Sequence, residues 1–140
     1  MSILSGVLRV HDRLYKATDG RLGHRILGVP SLLLRTTGRR SGEVRTTTLS
    51  YALDGADYVV VASKGGSDEP PAWLLNLEAE PKVEVQIGRE RKQAAAKVVG
   101  RSDPDYARLW KMVNENNGDR YDAYQSETSR QIPIVVLTPA

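Results

Sequence analysis

Apolar and polar residues alternate over short runs through the middle of this chain, the period of half-buried strands, and helical spacing is confined to flanking segments. Five runs of strand length, "SLLLRTT", "VRTTTLSYAL", "DYVVVAS", "KVEVQI" and "RKQAAAKVV", are rich in β-branched residues, and "IPIVVLTP" ends the chain as a sixth. Asp54-Gly55 marks a hairpin between the second and third runs, and Gly88 turns the fourth into the fifth. The expected sheet is an antiparallel meander. Leu4, Val7, Leu8, Leu14 and Tyr15 fall at helical spacings with Arg9, Asp12, Arg13 and Lys16 between them. Residues 1–18 therefore read as an amphipathic helix packed on the sheet, with a lid or a membrane-surface element as the rival role. Residues 18–28, with three glycines, read as a loop that Pro30 closes. "PPAWLLNLEAEP" opens on proline and sets Trp73, Leu74 and Leu77 on one helical face, and Asp103-Pro104 starts a longer helix that Gly118 stops.

Strands outnumber helices and do not alternate with them, which argues against a doubly wound parallel fold. A mainly β, antiparallel, six-stranded barrel, closed or split, with peripheral helices fits the pattern. No repeat or linker divides the chain, so residues 1–140 read as one domain with the barrel core at 31–140.

Composition changes that picture little. A length of 140 residues with 40% hydrophobic and 26% charged side chains suits one globular domain. Zero cysteines exclude disulfides, thiolate metal sites and cysteine nucleophiles. No apolar run approaches the roughly 20 residues that span a bilayer, and the first residues carry no export signal, so a cytoplasmic location is expected. Charge is more informative. Within the net charge of +3, five cations (Arg35, Arg39, Arg40, Arg45, Lys64) face three acids (Glu43, Asp54, Asp57) over residues 35–64, a local patch suited to an anion.

Much familiar chemistry is missing. Two histidines, His11 and His24, cannot build a multi-histidine metal site or a Ser-His-Asp triad from the strand region, and no metal site is expected. Neither glycine-rich phosphate motif is present. What remains is "TTGRRSG" followed by Arg45, and "SKGG" at residues 63–66. Glycine in such turns lets successive backbone N–H groups point at an anion, while arginine offers a planar fork and lysine a point charge. A single basic turn is as readily a solvated turn; two at successive strand ends favour a ligand. Trp73 would lie along a flat heterocycle or, more commonly for a lone tryptophan, pack in the core. Tyr121 and Tyr124 share a helical face and either line a pocket or seal the barrel.

"TTGRRSGEVRTTTL", "VVVASKGGSDEPPAWLLNLEAEPKVEVQI" and the closing "YDAYQ…RQIPIVV" together resemble the deazaflavin-dependent nitroreductase family, oxidoreductases that use coenzyme F-420, from about residue 31 to the C-terminus. The resemblance implies a split β-barrel like that of FMN-binding proteins, with hydride passing from the reduced deazaflavin to a planar small-molecule acceptor: a quinone, enone, coumarin-like lactone or nitro compound. It also explains the arginines, because the cofactor carries a phosphodiester and a glutamate tail. On this resemblance Arg39, Arg40, Ser41, Gly42, Arg45, Lys64 and Gly66 hold the anionic arm, and Ser63, Gly65, Ala72, Trp73 and Asn76 shape the groove. Hydride transfer asks the protein chiefly to position donor and acceptor and to stabilise charge on the acceptor. Hydroxyls of Ser50, Ser63, Tyr121 or Tyr124 would donate to that oxyanion, with solvent supplying the last proton. Ser50, Gly118 and Glu127 stand where nitroimidazole-reducing relatives carry larger rings, and Thr47-Thr48-Leu49 replaces a Pro-Leu motif, which implies a more open, more polar pocket. An FMN-dependent split-barrel enzyme and a non-catalytic F-420 carrier are the alternatives. A nucleic-acid-binding barrel is disfavoured, since its strands would carry stacking aromatics and phenylalanine is absent. Monomer and homodimer are both compatible with the sequence.

Overall fold

The computed structural model describes residues 25–26 and 29–140, so the amphipathic segment 1–18, His11 and His24 lie outside the described residues. The strands are β1 (Arg25–Ile26), β2 (Val29–Thr37), β3 (Val44–Ser50), β4 (Ala52–Asp54), β5 (Asp57–Val61), β6 (Lys82–Ile87), β7 (Glu90–Val99) and β8 (Ile134–Pro139). A 3-10 turn at Lys64–Gly66 and three α-helices, α1 (Ala72–Ala79), α2 (Tyr106–Asn116) and α3 (Arg120–Ser126), complete the described elements.

Three differences from the sequence reading have physical causes. The run "VRTTTLSYAL" is two strands, because the chain changes partner at Tyr51: β3 pairs with β2 through Ser31↔Ser50, whereas β4 pairs with β5 through Ala52↔Val59. The sheet thus has seven strands rather than six, not counting the two-residue β1. That β1 falls inside the glycine-bearing stretch expected to be a loop, pairing Arg25 with Pro30 and Ile26 with Val29. Nor is the sheet a meander. Its spatial order is β2-β6-β7-β8-β5-β4 with β3 on the free side of β2, so the β2-β3, β4-β5 and β6-β7 hairpins stay intact and are joined by the long-range pairings β2-β6 and β5-β8.

Strand alternation divides the apolar residues between two cores. Tyr58 and Val60 of β5, Ala62 just after it, and Val135 and Leu137 of β8 point into the curl of the sheet, with Leu32, Leu34, Val83 and Val85. Trp73, Leu74 and Leu77 of α1 fill this inner core, so the predicted apolar face of that helix is the face it buries. The intervening residues, Val59, Val61 and Ile134, point outward and are covered by Tyr106, Leu109 and Val113 of α2 and Tyr121 of α3. Continuous apolar runs in β5 and β8 therefore reflect burial on both faces.

Leu34 is fully buried in the inner core and sits between Thr47 on β3 and Val85 on β6. Leu34→Ala is expected to lower unfolding free energy by about 2–5 kcal/mol, the usual range for a buried leucine truncation, measured by urea denaturation of both proteins.

Candidate functional site

Strand register decides where the two basic loops go. β2 runs toward the turn at residues 38–43, and its antiparallel pairing passes through Arg35↔Glu84, Lys82↔Ala95, Val99↔Ile134 and Val61↔Ile134. The end of β2 and the end of β5 therefore lie at the same end of the barrel, and the turn at 38–43 and the loop at 63–66 both open there. α1 links them directly. Asn76, buried on that helix, accepts hydrogen bonds from the Arg39 backbone N–H (3.1 Å) and guanidinium (3.3 Å) and donates to Thr36 Oγ1 (3.3 Å).

The first loop is closed by its own backbone: Gly38 N–H donates to the Glu43 carbonyl at 2.7 Å and Gly42 N–H to the Gly38 carbonyl at 2.8 Å. Ser41 Oγ accepts the Glu43 N–H at 3.1 Å, so Ser41 holds the turn's shape. Arg39, Arg40, Gly42 and Arg45 are exposed. Arg45 has only a surface pairing with Glu43 at 3.5 Å, and Arg40 forms no ion pair among the described residues. Arg35, counted in the basic patch, departs from it: its guanidinium is bound to Glu84 of β6 at 3.1 Å, part-buried on the sheet.

In the second loop Lys64, Gly65 and Gly66 have φ of 45°, 63° and 85°, three left-handed residues in succession. Lys64 is the notable one, because a side chain in that region costs roughly 1–3 kcal/mol and persists only where surroundings enforce it. Its ammonium is exposed and 3.9 Å from Glu69. Ser63 is buried at the base of this loop. Gly66 is buried because α3 packs on it: a Cβ there would lie 2.8 Å from the Tyr124 carbonyl oxygen and 3.0 Å from Glu127 Oε2.

That contact brings the tyrosines to the same end of the barrel. Tyr106, Trp110, Tyr121 and Tyr124 form a row, with ring centroids 5.7, 6.3 and 6.2 Å apart. Tyr121 is buried within the outer core and Tyr124 is half-buried beside it. Burial pushes the Tyr121 hydroxyl far above the ordinary tyrosine value, with Tyr124 adding to the rise and Asn117 and Arg120 opposing it. Burial likewise raises Tyr124, opposed by Arg120 and reinforced by Glu127. Both phenols keep their protons at neutral pH.

Other expected residues fall elsewhere. Ser50 ends β3 opposite Ser31, at the far end of the strand from the basic turn, so it does not join Ser63, Tyr121 and Tyr124. Trp73 is 9% exposed within the inner core, which leaves little of its ring to offer a flat ligand. Ala72 is exposed at the first turn of α1. Sequence reasoning missed Arg130, whose guanidinium holds the carbonyls of the second loop: Nε donates to Ser67 O at 2.7 Å and Nη2 to Ser63 O at 2.9 Å and Ala62 O at 3.2 Å. Its only sequence signal is an arginine in a short polar segment before a buried strand.

The fold is thus a split barrel with two basic, glycine-bearing loops at one end. A sequence profile described as F420H2-dependent quinone reductase matches residues 7–139. An F420H2-dependent quinone reductase of Mycobacterium tuberculosis is 57% identical over 133 residues, covering 94% of this chain and 89% of that protein. Among solved structures, an F420-H2-dependent reductase superposes with a TM-score of 0.69 at 33% identity, over 77% of this chain and 93% of the other. A structure described as a domain-swapped dimer gives 0.71 at 30% identity over 97% and 99%. The chain belongs to the F420H2-dependent quinone reductase family.

Two outcomes test this geometry. Gly66→Ala is expected to reduce the melting temperature more than Gly65→Ala: both replace a glycine at positive φ, at about 1 kcal/mol or more, but only Gly66 also meets neighbouring atoms. Thermal melts of the two variants compare them directly. Because the folded-state pKa of Tyr121 is raised, its contribution to stability is complete below the ordinary tyrosine value and is lost as pH rises above about 10. The melting temperature of Tyr121→Phe should accordingly fall less steeply than that of the parent protein between neutral and strongly alkaline pH.

Proposed function

We propose that this chain is an F-420-dependent reductase that binds the anionic arm of the cofactor at the paired basic loops and reduces planar conjugated acceptors, quinones and enones foremost. The observation that carries this reading is the convergence of the 38–43 turn and the 63–66 loop at one barrel end, with the tyrosine-bearing α3 packed on the second loop. The donor set suits the ligand: Arg39, Arg40, Arg45 and Lys64 offer forks and a point charge to phosphate and carboxylate oxygens, and Ser41, Gly42, Gly65 and Gly66 shape the backbone that presents them. Asn76 keeps Arg39 aimed by holding both its backbone and its guanidinium.

The bound deazaflavin supplies the hydride. The chain's own residues position the acceptor and stabilise the negative charge that develops on it. Tyr124, half-buried, and Ser63 are the hydroxyls grouped at this end of the barrel for that task, with Tyr121 packed against the Tyr124 ring. Solvent delivers the final proton. The open positions at Gly118 and Glu127 favour quinones and enones over the nitroimidazoles handled by nitroreductases of the wider resemblance. The domain-swapped dimer of one relative supports a homodimer for this chain.

Fluorescence titration with F-420 and with FMN tests the assignment. F-420 is expected to bind more tightly, and a folded Arg40→Ala, Lys64→Ala double variant to lose roughly 1–3 kcal/mol per removed charge-assisted hydrogen bond. Equal or tighter FMN binding, or an unchanged F-420 affinity in the double variant, overturns the reading.

A further inference from the structure

Residues 127–133 join α3 to β8, and their polar contacts run to residues 62–68, to Gln125 at the end of α3 and to Tyr106. Gln125 Nε2 donates to the carbonyls of Arg130 (2.8 Å) and Thr128 (3.4 Å), and its Oε1 accepts the Ile132 N–H at 3.0 Å. The Ile132 carbonyl accepts the buried Tyr106 hydroxyl at 2.7 Å, which ties the same point to α2. Thr128 Oγ1 donates to Asp68 at 2.7 Å, and Ala62 N–H donates to the Pro133 carbonyl at 3.1 Å. Arg130 therefore projects from a segment fixed on both sides, and its guanidinium meets three backbone carbonyls, those of Ala62, Ser63 and Ser67. No carboxylate ion pair competes for it among the described residues, and burial pulls its pKa below the ordinary arginine value, with Asp68 opposing.

Those carbonyls determine more than loop stability. In a trans peptide C=O and N–H point in opposite directions, and no cis bond occurs among the described residues. With the Ala62 and Ser63 carbonyls turned to the guanidinium, the Ser63 and Lys64 N–H groups are turned away from it. The Ser63 carbonyl also accepts the Gly66 N–H at 3.0 Å, which winds the loop through its left-handed residues. Successive N–H groups aimed one way form an anion-binding concavity, whose affinity depends on that aim.

We propose that Arg130 is a positioning residue for the cofactor site: bound to the back of the 63–66 loop, it fixes the direction of the Ser63 and Lys64 amides that face the cofactor's phosphate. This rests on the assignment of that loop as the F-420 cradle. It adds a specific division of labour, in which one arginine shapes the cradle while Arg39, Arg40 and Arg45 meet the ligand. Lysine cannot replace it, since a single ammonium does not span three carbonyls in a planar fork.

Arg130→Met and Arg130→Lys are compared with Arg108→Met, which removes the exposed Arg108–Asp54 pairing on the outer helix and serves as a control for general destabilisation. F-420 affinity, melting temperature, separate KM values for F-420 and a quinone, and amide hydrogen exchange across residues 62–68 are measured on each. Arg130→Met is expected to weaken F-420 binding about tenfold, the scale of one charge-assisted hydrogen bond, with the F-420 KM rising and the quinone KM unchanged. Arg130→Lys should recover only part of the loss, millimolar guanidinium should restore some affinity to Arg130→Met, and exchange at 62–68 should quicken in both Arg130 variants but not in Arg108→Met. Wild-type F-420 affinity in a folded Arg130→Met overturns the proposal, as does an equal loss in Arg108→Met. If the parent protein itself fails to bind F-420, the cofactor assignment falls, and unchanged exchange at 62–68 in the unliganded Arg130→Met then overturns the positioning role as well.

Discussion

The two outermost strands of this sheet in space are neighbours in the chain, and that constraint shapes everything else. β3 and β4 lie at opposite ends of the pairing order, yet only Tyr51 separates them. A sheet cannot stay flat when its two edges are one residue apart, so it curls, with Tyr51 at the corner. The Tyr51 N–H is held by the Pro30 carbonyl at 3.2 Å, and its ring meets Tyr58 edge-on at 5.4 Å. Curling encloses the inner core, and α1 plugs that core from the end at which the basic loops emerge. One turn of backbone thus produces both the barrel and the mouth.

Charge in the molecule divides along the same line. Several cations belong to the scaffold: Arg35 is joined to Glu84, Arg108 makes a two-pronged contact with Asp54, and Lys92 donates to the Tyr58 hydroxyl at 3.1 Å toward the other end of the barrel. Arg130 serves the backbone. The cations left exposed at the mouth are Arg39, Arg40, Arg45 and Lys64, and their acidic neighbours Glu43 and Glu69 stand at surface distances where screening leaves little attraction. A multiply charged ligand would displace such weak pairings readily. Arg40, Arg45 and Lys64 are thus held only weakly or not at all by the fold, whereas Arg35, Arg108 and Arg130 are bound into it.

The 63–66 loop is linked to the tyrosine-bearing helix through packing. Gly66 touches the last turn of α3, Thr128 holds Asp68, and the aromatic row from Tyr106 to Tyr124 carries that contact into the outer core. Tyr121 and Tyr124 stand on the helix that packs against Gly66, and burial raises the pKa of both phenols.

Local pattern was enough for the strands with clear alternation or continuous apolar runs, for both hairpin turns at Gly55 and Gly88, and for the buried face of α1. Those features depend on neighbours within a few residues, which a sequence displays. The motif set from "TGRRSG" to "SKGG" likewise declared a coenzyme F-420-dependent oxidoreductase, and the chain's relatives refine the expected nitroreductase family to the quinone reductases. Tertiary structure alone decided the break at Tyr51, the non-meander order and the loss of Arg35 to Glu84, because each depends on which distant strand lies alongside. The same holds for Arg130 and Ser50. Arg130 gained a role because residues 62–67 came to lie against it, a contact spanning more than 60 positions in the chain. Ser50 was set apart from the tyrosines by antiparallel register, which sends the two ends of one strand to opposite ends of the barrel.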